Sequence, residues 1–397
     1  MLLEFSVKNY KVFKERATMS FIASNYDKST LETSNVVSVD THDLRVLRSA
    51  VLYGANASGK TKFFEALEFF RRFVRKSSKE GQKGEMIDTQ PFLLSETTEH
   101  GPSEFEIVFL HDSVIYRYGF EANSKAVLAE WLFYRPQSKE YQVFYRDTLE
   151  PSIKVDKTLF KKGNLLIQEN LVRDNALMLS VAAQFNDEIC SQVINWFNHD
   201  LTIVLGSNDQ LLKAPARRGD SSMAKVLQLL RQTDISIQDL QLITQNLDIS
   251  LGTVHHRYDK DNRIIGQTII QFDEESEGTH RLVYLFERIL SSWDSGKTLV
   301  VDDFDSHLHP KVIQFLLSLF NNPNLNPHGS QLIVSCHNTA LLQTNQLRKD
   351  QIWLIEKDRF EASHIYSLTD FKSILVRSGE NFETNYLKGK YGAIPYV

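Results

Sequence analysis

Gly54-Ala55-Asn56-Ala57-Ser58-Gly59-Lys60-Thr61 carries the residue types and spacing of a phosphate-cradling loop, G-x-x-x-x-G-K-[ST]. Its two glycines permit a tight turn whose backbone N–H groups converge on an anion. Lys60 supplies a cation for the β- and γ-phosphates, and Thr61 a hydroxyl for Mg²⁺. Three further groups lie far along the chain. The pair Asp302-Asp303 ends the apolar run Thr298-Leu299-Val300-Val301. Carboxylates at the C-terminal end of a buried parallel strand sit where doubly wound sheets bind ligands. Asp302 is placed to orient Mg²⁺, and Asp303 to position or deprotonate an attacking water. His337 ends a second apolar run that starts at Gln331, and can hydrogen-bond a γ-phosphate or that water. Ser276 and Gly278 open another candidate phosphate-binding helix start, with Ser276 as the N-cap and Gly278 keeping the first turn open. The ligand these residues imply is a nucleoside triphosphate with Mg²⁺, and the chemistry is hydrolysis.

Such groups need strands and helices to hold them. Ala50-Val51-Leu52-Tyr53 reads as a buried strand entering the loop, and Phe63, Phe64, Leu67, Phe70 and Val74 recur at helical spacing behind it. Leu282, Leu285, Phe286 and Ile289 give an apolar helix face after Ser276. Residues 2–22 read as two strands turning near Asn9-Tyr10-Lys11, and residues 24–45 as loop. From 103 to 148 the pattern alternates and is aromatic-rich, which predicts an antiparallel meander. Residues 165–232 predict helices interrupted by an exposed loop at APARRGDSS, and strand patterns resume at IQDLQLI, LGTVHHRYD and RIIGQTIIQF. His255-His256 reads as a strand-face pair, because no carboxylate or cysteine has metal-ligand spacing to it. The expected fold is α/β, a P-loop NTPase with an antiparallel β-subdomain and a helical insertion. Its expected divisions are an N-terminal ATPase half (1–150), a mainly helical insertion (151–235) and a C-terminal ATPase half (236–397).

The composition is that of an ordinary globular protein, with 42% hydrophobic and 24% charged residues in 397. A net charge of −5 announces no nucleic-acid binder, although it permits a local basic groove. The basic run Arg71, Arg72, Arg75, Lys76, Lys79 and Lys83 has a plain reading, a solvated face, and a sharper one, a nucleic-acid or partner contact. Cys190 and Cys336 lie far apart without metal-ligand spacing, which predicts reduced thiols in a cytoplasmic protein. No apolar run approaches a membrane span, and the N-terminus lacks a signal-peptide core.

In chain order these motifs resemble the head of the ABC-type ATPases: Walker A, a signature motif at Ser276 and Gly278, Walker B at Asp302, a D-loop at Asp305 and a switch histidine at His337. An early phosphate loop with late partners around a large insertion is similar to the RecF/SMC-like branch. More closely, the chain resembles the AAA-15/AAA-21 ATPases of abortive-infection and phage-defence systems, including the RloA- and AbiL-type ATPases. The resemblance runs through NYKVF, YGANASGKT, PSEFEIVF with YRYGFE, EESEGTHRL, DSHLHP, SCHNTALL, IWLIEKD and YLKGKYGAIP. It implies a homodimer or higher oligomer of ATP-sandwiched heads, and a nucleotide-contacting glutamine, for which Gln90 is the candidate. It also implies a glutamate where Asp303 stands, so hydrolysis is expected to be slow. The chain beyond His337 is expected to hold no nuclease carboxylate cluster, so a nuclease or toxin effector is expected on a separate chain. Two other functions fit the same residues. One is a RecF-like DNA-repair ATPase, marked by salt-dependent, DNA-stimulated hydrolysis. The other is a nucleotide-dependent scaffold with little turnover.

Overall fold

The computed structural model describes residues 1–80, 82–148, 153–206, 220–233, 235–245, 248–293, 296–343, 345–371 and 380–395. The chain opens with β1 (Leu2–Lys8) and β2 (Ala17–Ser20). The stretch expected as loop holds α1 (Glu32–Asn35) and a hairpin of β3 (Val36–Val39) and β4 (Leu44–Leu47). β5 (Ser49–Tyr53) then leads through the glycine loop into α2 (Lys60–Lys76). The alternating region forms β6 (Ser103–His111), β7 (Val114–Ala122), β8 (Val127–Arg135), β9 (Tyr141–Asp147) and a short β10 (Lys154–Val155). Helices α3 (Gly163–Gln168), α4 (Met178–Gln184) and α5 (Glu188–His199) precede β11 (Leu201–Val204). After α6 (Asp220–Gln232) come β12 (Asp239–Gln245), β13 (Asp248–Tyr258) and β14 (Ile264–Gln271). The last part runs α7 (Glu277–Trp293), β15 (Thr298–Val301), α8 (Pro310–Asn321), β16 (Gln331–Ser335), α9 (Ala340–Gln343), β17 (Ile352–Lys357), β18 (Ser363–Ser367) and α10 (Phe382–Leu387).

Two large sheets face each other across α2. One has the order β10-β9-β8-β7-β6-β1-β2 and is antiparallel throughout. The other has the order β11-β15-β16-β5-β17-β18 and is parallel except for its last strand. The alternation of β5 explains the layering. Ala50 and Leu52 join the core shared with α2 and the antiparallel sheet, whereas Val51 and Tyr53 join the core under α7 and α8. A strand covered on both faces has no polar side to show, hence its unbroken apolar run. On α2, Phe63, Phe64, Phe70 and Val74 are buried against β1, β6 and β7, and Phe70 stacks on Phe120 at 5.1 Å. The fold is α/β, a mostly parallel sheet that carries the glycine loop beside an antiparallel β-subdomain.

The helical stretch also differs from the sequence expectation. The stretch 165–232 contains a strand, β11, paired in parallel with β15 at the edge of the main sheet. Four residues carry too little pattern to separate from the end of α5, since Leu201 continues that helix's spacing from Phe197. Moreover, α4 and α5 are built into the head: Val181, Trp196 and Phe197 lie in the same core as α2. Of the expected APARRGDSS loop, residues 214–219 lie outside the described residues, and Asp220 onward begins α6. Among the described residues, no helix is long and apolar enough to cross a membrane.

Candidate functional site

The glycine loop folds as its composition requires. A Cβ on Gly54 would lie 2.3 Å from the Ile355 carbonyl oxygen on β17, so only glycine fits there. Gly59 sits at φ 117° and Ala57 at φ 61°, the left-handed region that glycine enters without cost. Across the loop, the Ser363 hydroxyl of β18 donates to the Ser58 carbonyl at 2.7 Å and pins its rim. Ser363 belongs to no motif, and only its position in space reveals it. Lys60 is buried, and its ammonium donates to the carbonyls of Gly54 at 2.8 Å and Ala55 at 3.1 Å. Burial depresses the Lys60 pKa, while the charges of Asp303, Asp302 and Asp305 work to raise it. Thr61, next along, is exposed.

Those aspartates leave the end of β15. Asp302 is 1% exposed and accepts the Ser335 hydroxyl of β16 at 2.5 Å. The same Ser335 oxygen accepts the backbone N–H of Asp303 at 2.9 Å. Burial pushes the Asp302 carboxyl above the usual carboxylate range, and hydrogen bonds from Ser335 and Thr61 pull it back. Asp303 adopts a left-handed φ of 47°, which aspartate tolerates better than most residues. Its Oδ1 lies 3.3 Å from His337 Nε2, and both side chains are about half exposed. Asp305 accepts the backbone N–H groups of His337 at 2.9 Å and Asn338 at 2.5 Å, so it fixes the loop that presents the histidine. Arg281, on α7, donates to the carbonyls of Asp302 at 3.2 Å and Asp303 at 3.0 Å. Sequence reading passed over both Ser335 and Arg281; Ser335's place two residues before His337 was its signal.

Thr61 and Asp302 give a hard oxygen pair beside a sunken, desolvated carboxylate, which fits Mg²⁺. The carboxyl pKa is raised in the fold, so the folded chain is penalised progressively as pH rises above the unfolded aspartate pKa. Asp302→Asn is therefore expected to raise the melting temperature of the nucleotide-free protein at pH 7–8 and leave it nearly unchanged near pH 3. Calorimetry without Mg²⁺ at both pH values measures this. A lower melting temperature at neutral pH would show that burial of the charge is not the controlling term.

Ser276 caps α7 as its type suggests: its hydroxyl accepts the N–H of Thr279 at 3.2 Å. Its side chain is otherwise exposed, and the next turn is held close, since a Cβ on Gly278 would stand 3.0 Å from the His307 carbonyl. Just before it, Glu275 accepts the Thr253 hydroxyl at 2.5 Å and pairs with His255 at 2.8 Å. Adjacent strand residues face opposite ways, and His255 alone of the two histidines reaches Glu275. Gln90 is exposed, and lines a groove of about 200 Å³ with Tyr10, Lys11, Glu65, Arg72 and Leu205. The structure thus gathers Lys60, Thr61, Asp302, Asp303, Asp305 and His337. Among the described residues, no hydrogen bond or ion pair joins Ser276 or the Gln90 side chain to the phosphate loop. In the basic run, Arg71 pairs with Glu68, Arg72 with Asp88 and Lys76 with Glu80, and Arg75 donates to Asn198. These internal pairings favour the solvated-face reading. Both cysteines are buried and unpaired.

Comparison with curated proteins gave no match. Among solved structures, the chain is similar to the SMC head domain from Thermotoga maritima, at 14% identity and a TM-score of 0.42, covering 92% of this chain and 98% of that one. It is also similar to an SmcHead bound to the C-winged helix domain of ScpA, at 12% identity and a TM-score of 0.44, covering 92% and 97%. A family model described as "AAA domain, putative AbiEii toxin, Type IV TA system" matches residues 49–343, from the first residue of β5 to the last of α9. That span includes the phosphate loop and every carboxylate gathered beside it, and the chain belongs to this AAA family of P-loop ATPases.

Proposed function

We propose that the chain binds and hydrolyses ATP as a two-headed switch in prokaryotic anti-phage defence, controlling a separately encoded effector. The observation that carries the enzymatic part is the convergence of Lys60, Asp302 and the Asp303–His337 pair beside the glycine loop. The loop N–H groups and Lys60 hold the β- and γ-phosphates, and Asp303 orients the attacking water and takes its proton. His337, 3.3 Å from Asp303, hydrogen-bonds the γ-phosphate or that water. Mg²⁺, held by Thr61 and Asp302, supplies neutralisation of phosphate charge when bound.

Two heads sandwich the nucleotide, with Lys60 of one and Ser276 of the other on the same γ-phosphate. The exposure of Ser276 at a capped helix start supports this, because among the described residues of a single head it makes no hydrogen bond to the phosphate site. Ser276→Arg is expected to leave ATP binding by one head nearly intact while abolishing ATP-dependent dimerisation and most turnover. Ultracentrifugation beside an ATPase assay reads both. Full-rate hydrolysis by a monomer would exclude the two-headed site.

The defence role is supported by the family description, which names a toxin and a Type IV TA system. Effector control rests on surface: Leu165, Leu171 and Phe185 are each about 40% exposed on the helical stretch. Cells carrying this chain with its effector are expected to resist phage, and cells carrying either alone are not. Protection by the pair bearing Lys60→Ala would overturn the switch.

A further inference from the structure

β14 is the outer strand of the three-stranded sheet β12-β13-β14, and it leads straight to the Ser276 helix start. Every residue from Ile264 to Ile269 is exposed, so both faces of the strand are open. Ile264, Ile265 and Ile269 are 59%, 56% and 50% exposed. Soluble proteins blunt such edges with lysine, proline or inward charges. Ile264-Ile265-Gly266-Gln267-Thr268-Ile269-Ile270-Gln271 has none of these. Three open isoleucines beside a row of unpaired backbone groups form a surface built for another strand.

We propose that β14 pairs antiparallel with β14 of a second copy of this chain, about a two-fold axis at Gln267, without nucleotide. The sequence of the strand is self-complementary in that register. Ile264 faces Ile270, Ile265 faces Ile269, Gly266 faces Thr268 and Gln267 faces its own counterpart. A shift of one residue either way leaves half as many isoleucine pairs, with Ile265 facing Ile270 or Ile264 facing Ile269 alone. Ile265, Gln267 and Ile269 alternate onto one face, which gains matched apolar contacts. Ile264 lies beyond an irregularity at Ile265, where Gly266 and Ile264 oppose the adjacent Arg257 and Tyr258. Charge agrees with the antiparallel direction. Arg257, Lys260 and Arg263, against Asp259 and Asp261, give the hairpin end a net positive charge, while Asp273 and Glu274 follow the other end. All of these but the half-buried Asp259 are exposed, and two-fold pairing sets the basic end of one strand beside the acidic end of the other. The two three-stranded sheets then become one of six, with no exposed edge at β14. The contact needs neither ATP nor Ser276, and so it is independent of the two-headed ATP site.

The test is disulfide mapping of the full chain in a Lys60→Ala background without nucleotide, which removes ATP-driven closure. Both native cysteines are buried and do not compete. Opposed residues of antiparallel strands have Cα atoms about 4.5–5.5 Å apart, within disulfide reach. Under mild oxidation, Gln267→Cys is expected to give a covalent dimer at least tenfold faster than Ile264→Cys, whose own counterpart lies six residues away along the partner strand. Ser38→Cys, at an exposed residue of β3, sets the background. In parallel, ultracentrifugation of the Ile265→Lys, Ile269→Lys double variant is expected to show at least a tenfold weaker dimer than its parent. Equal crosslinking at 267, 264 and 38, or a parent that stays monomeric, would overturn the proposal. So would a double variant that dimerises like the parent. Because these positions are exposed, the variants are expected to keep the parent's circular dichroism spectrum.

Discussion

Lys60→Ala is expected to weaken ATP binding by at least about a hundredfold while the protein stays folded. A charge-assisted contact to phosphate in a sunken site is worth about 3 kcal/mol, which converts to roughly two orders of magnitude in Kd. The fold loses little, because the ammonium is itself desolvated and contributes mainly two bonds to the Gly54 and Ala55 carbonyls of its own loop. Titration calorimetry with ATP and Mg²⁺, alongside circular dichroism, separates the two effects. Binding equal to the parent's would place the nucleotide elsewhere.

Substitution of Asp303 is expected to split binding from turnover. Asp303→Asn keeps the shape but removes the base, and should slow hydrolysis by roughly 10²–10⁴-fold while an ATP-bound dimer accumulates. Asp303→Glu is expected to match or exceed the parent rate, because the longer side chain reaches a water that the aspartate holds poorly. It should also lower the melting temperature, since φ at this position is 47°, a conformation glutamate adopts less readily than aspartate. Single-turnover kinetics and a thermal scan on the same two variants give both numbers. Full activity in Asp303→Asn would leave His337 as the group that handles the water.

The sequence was most legible where chemistry and local structure agree. Strand, glycine loop and amphipathic helix stand together around Lys60, and each reading supports its neighbours. The strands carrying Asp302 and His337 were legible for a similar reason: parallel strands buried on both faces are unbroken apolar runs. The meander was plain from its alternation. What escaped was set by contacts distant in sequence. β1 joins β6 across a hundred residues, and β11 is too short to announce itself. Ser363 acts on Ser58 from over three hundred residues away, with nothing local to mark it. Arg281 looked like one charge among several on a helix, yet it is buried and grips the backbone at Asp302 and Asp303.

The position of β5 has a consequence for synthesis. This strand, made by residue 53, lies between β16 and β17, which begin at residues 331 and 352. Its two hydrogen-bonding edges therefore wait, unpaired, while most of the chain leaves the ribosome. Parallel pairings between such distant segments carry a large loop-closure cost before they give anything back. Strands β6 to β9 of the antiparallel sheet have no such delay, since they pair in succession. It is expected to form first and to shelter the aromatic face of α2, while the ATP site stays open-edged until the last strands arrive. A ribosome stalled before residue 331 thus leaves a nascent chain with a finished β-subdomain, an exposed central strand and no capacity for ATP.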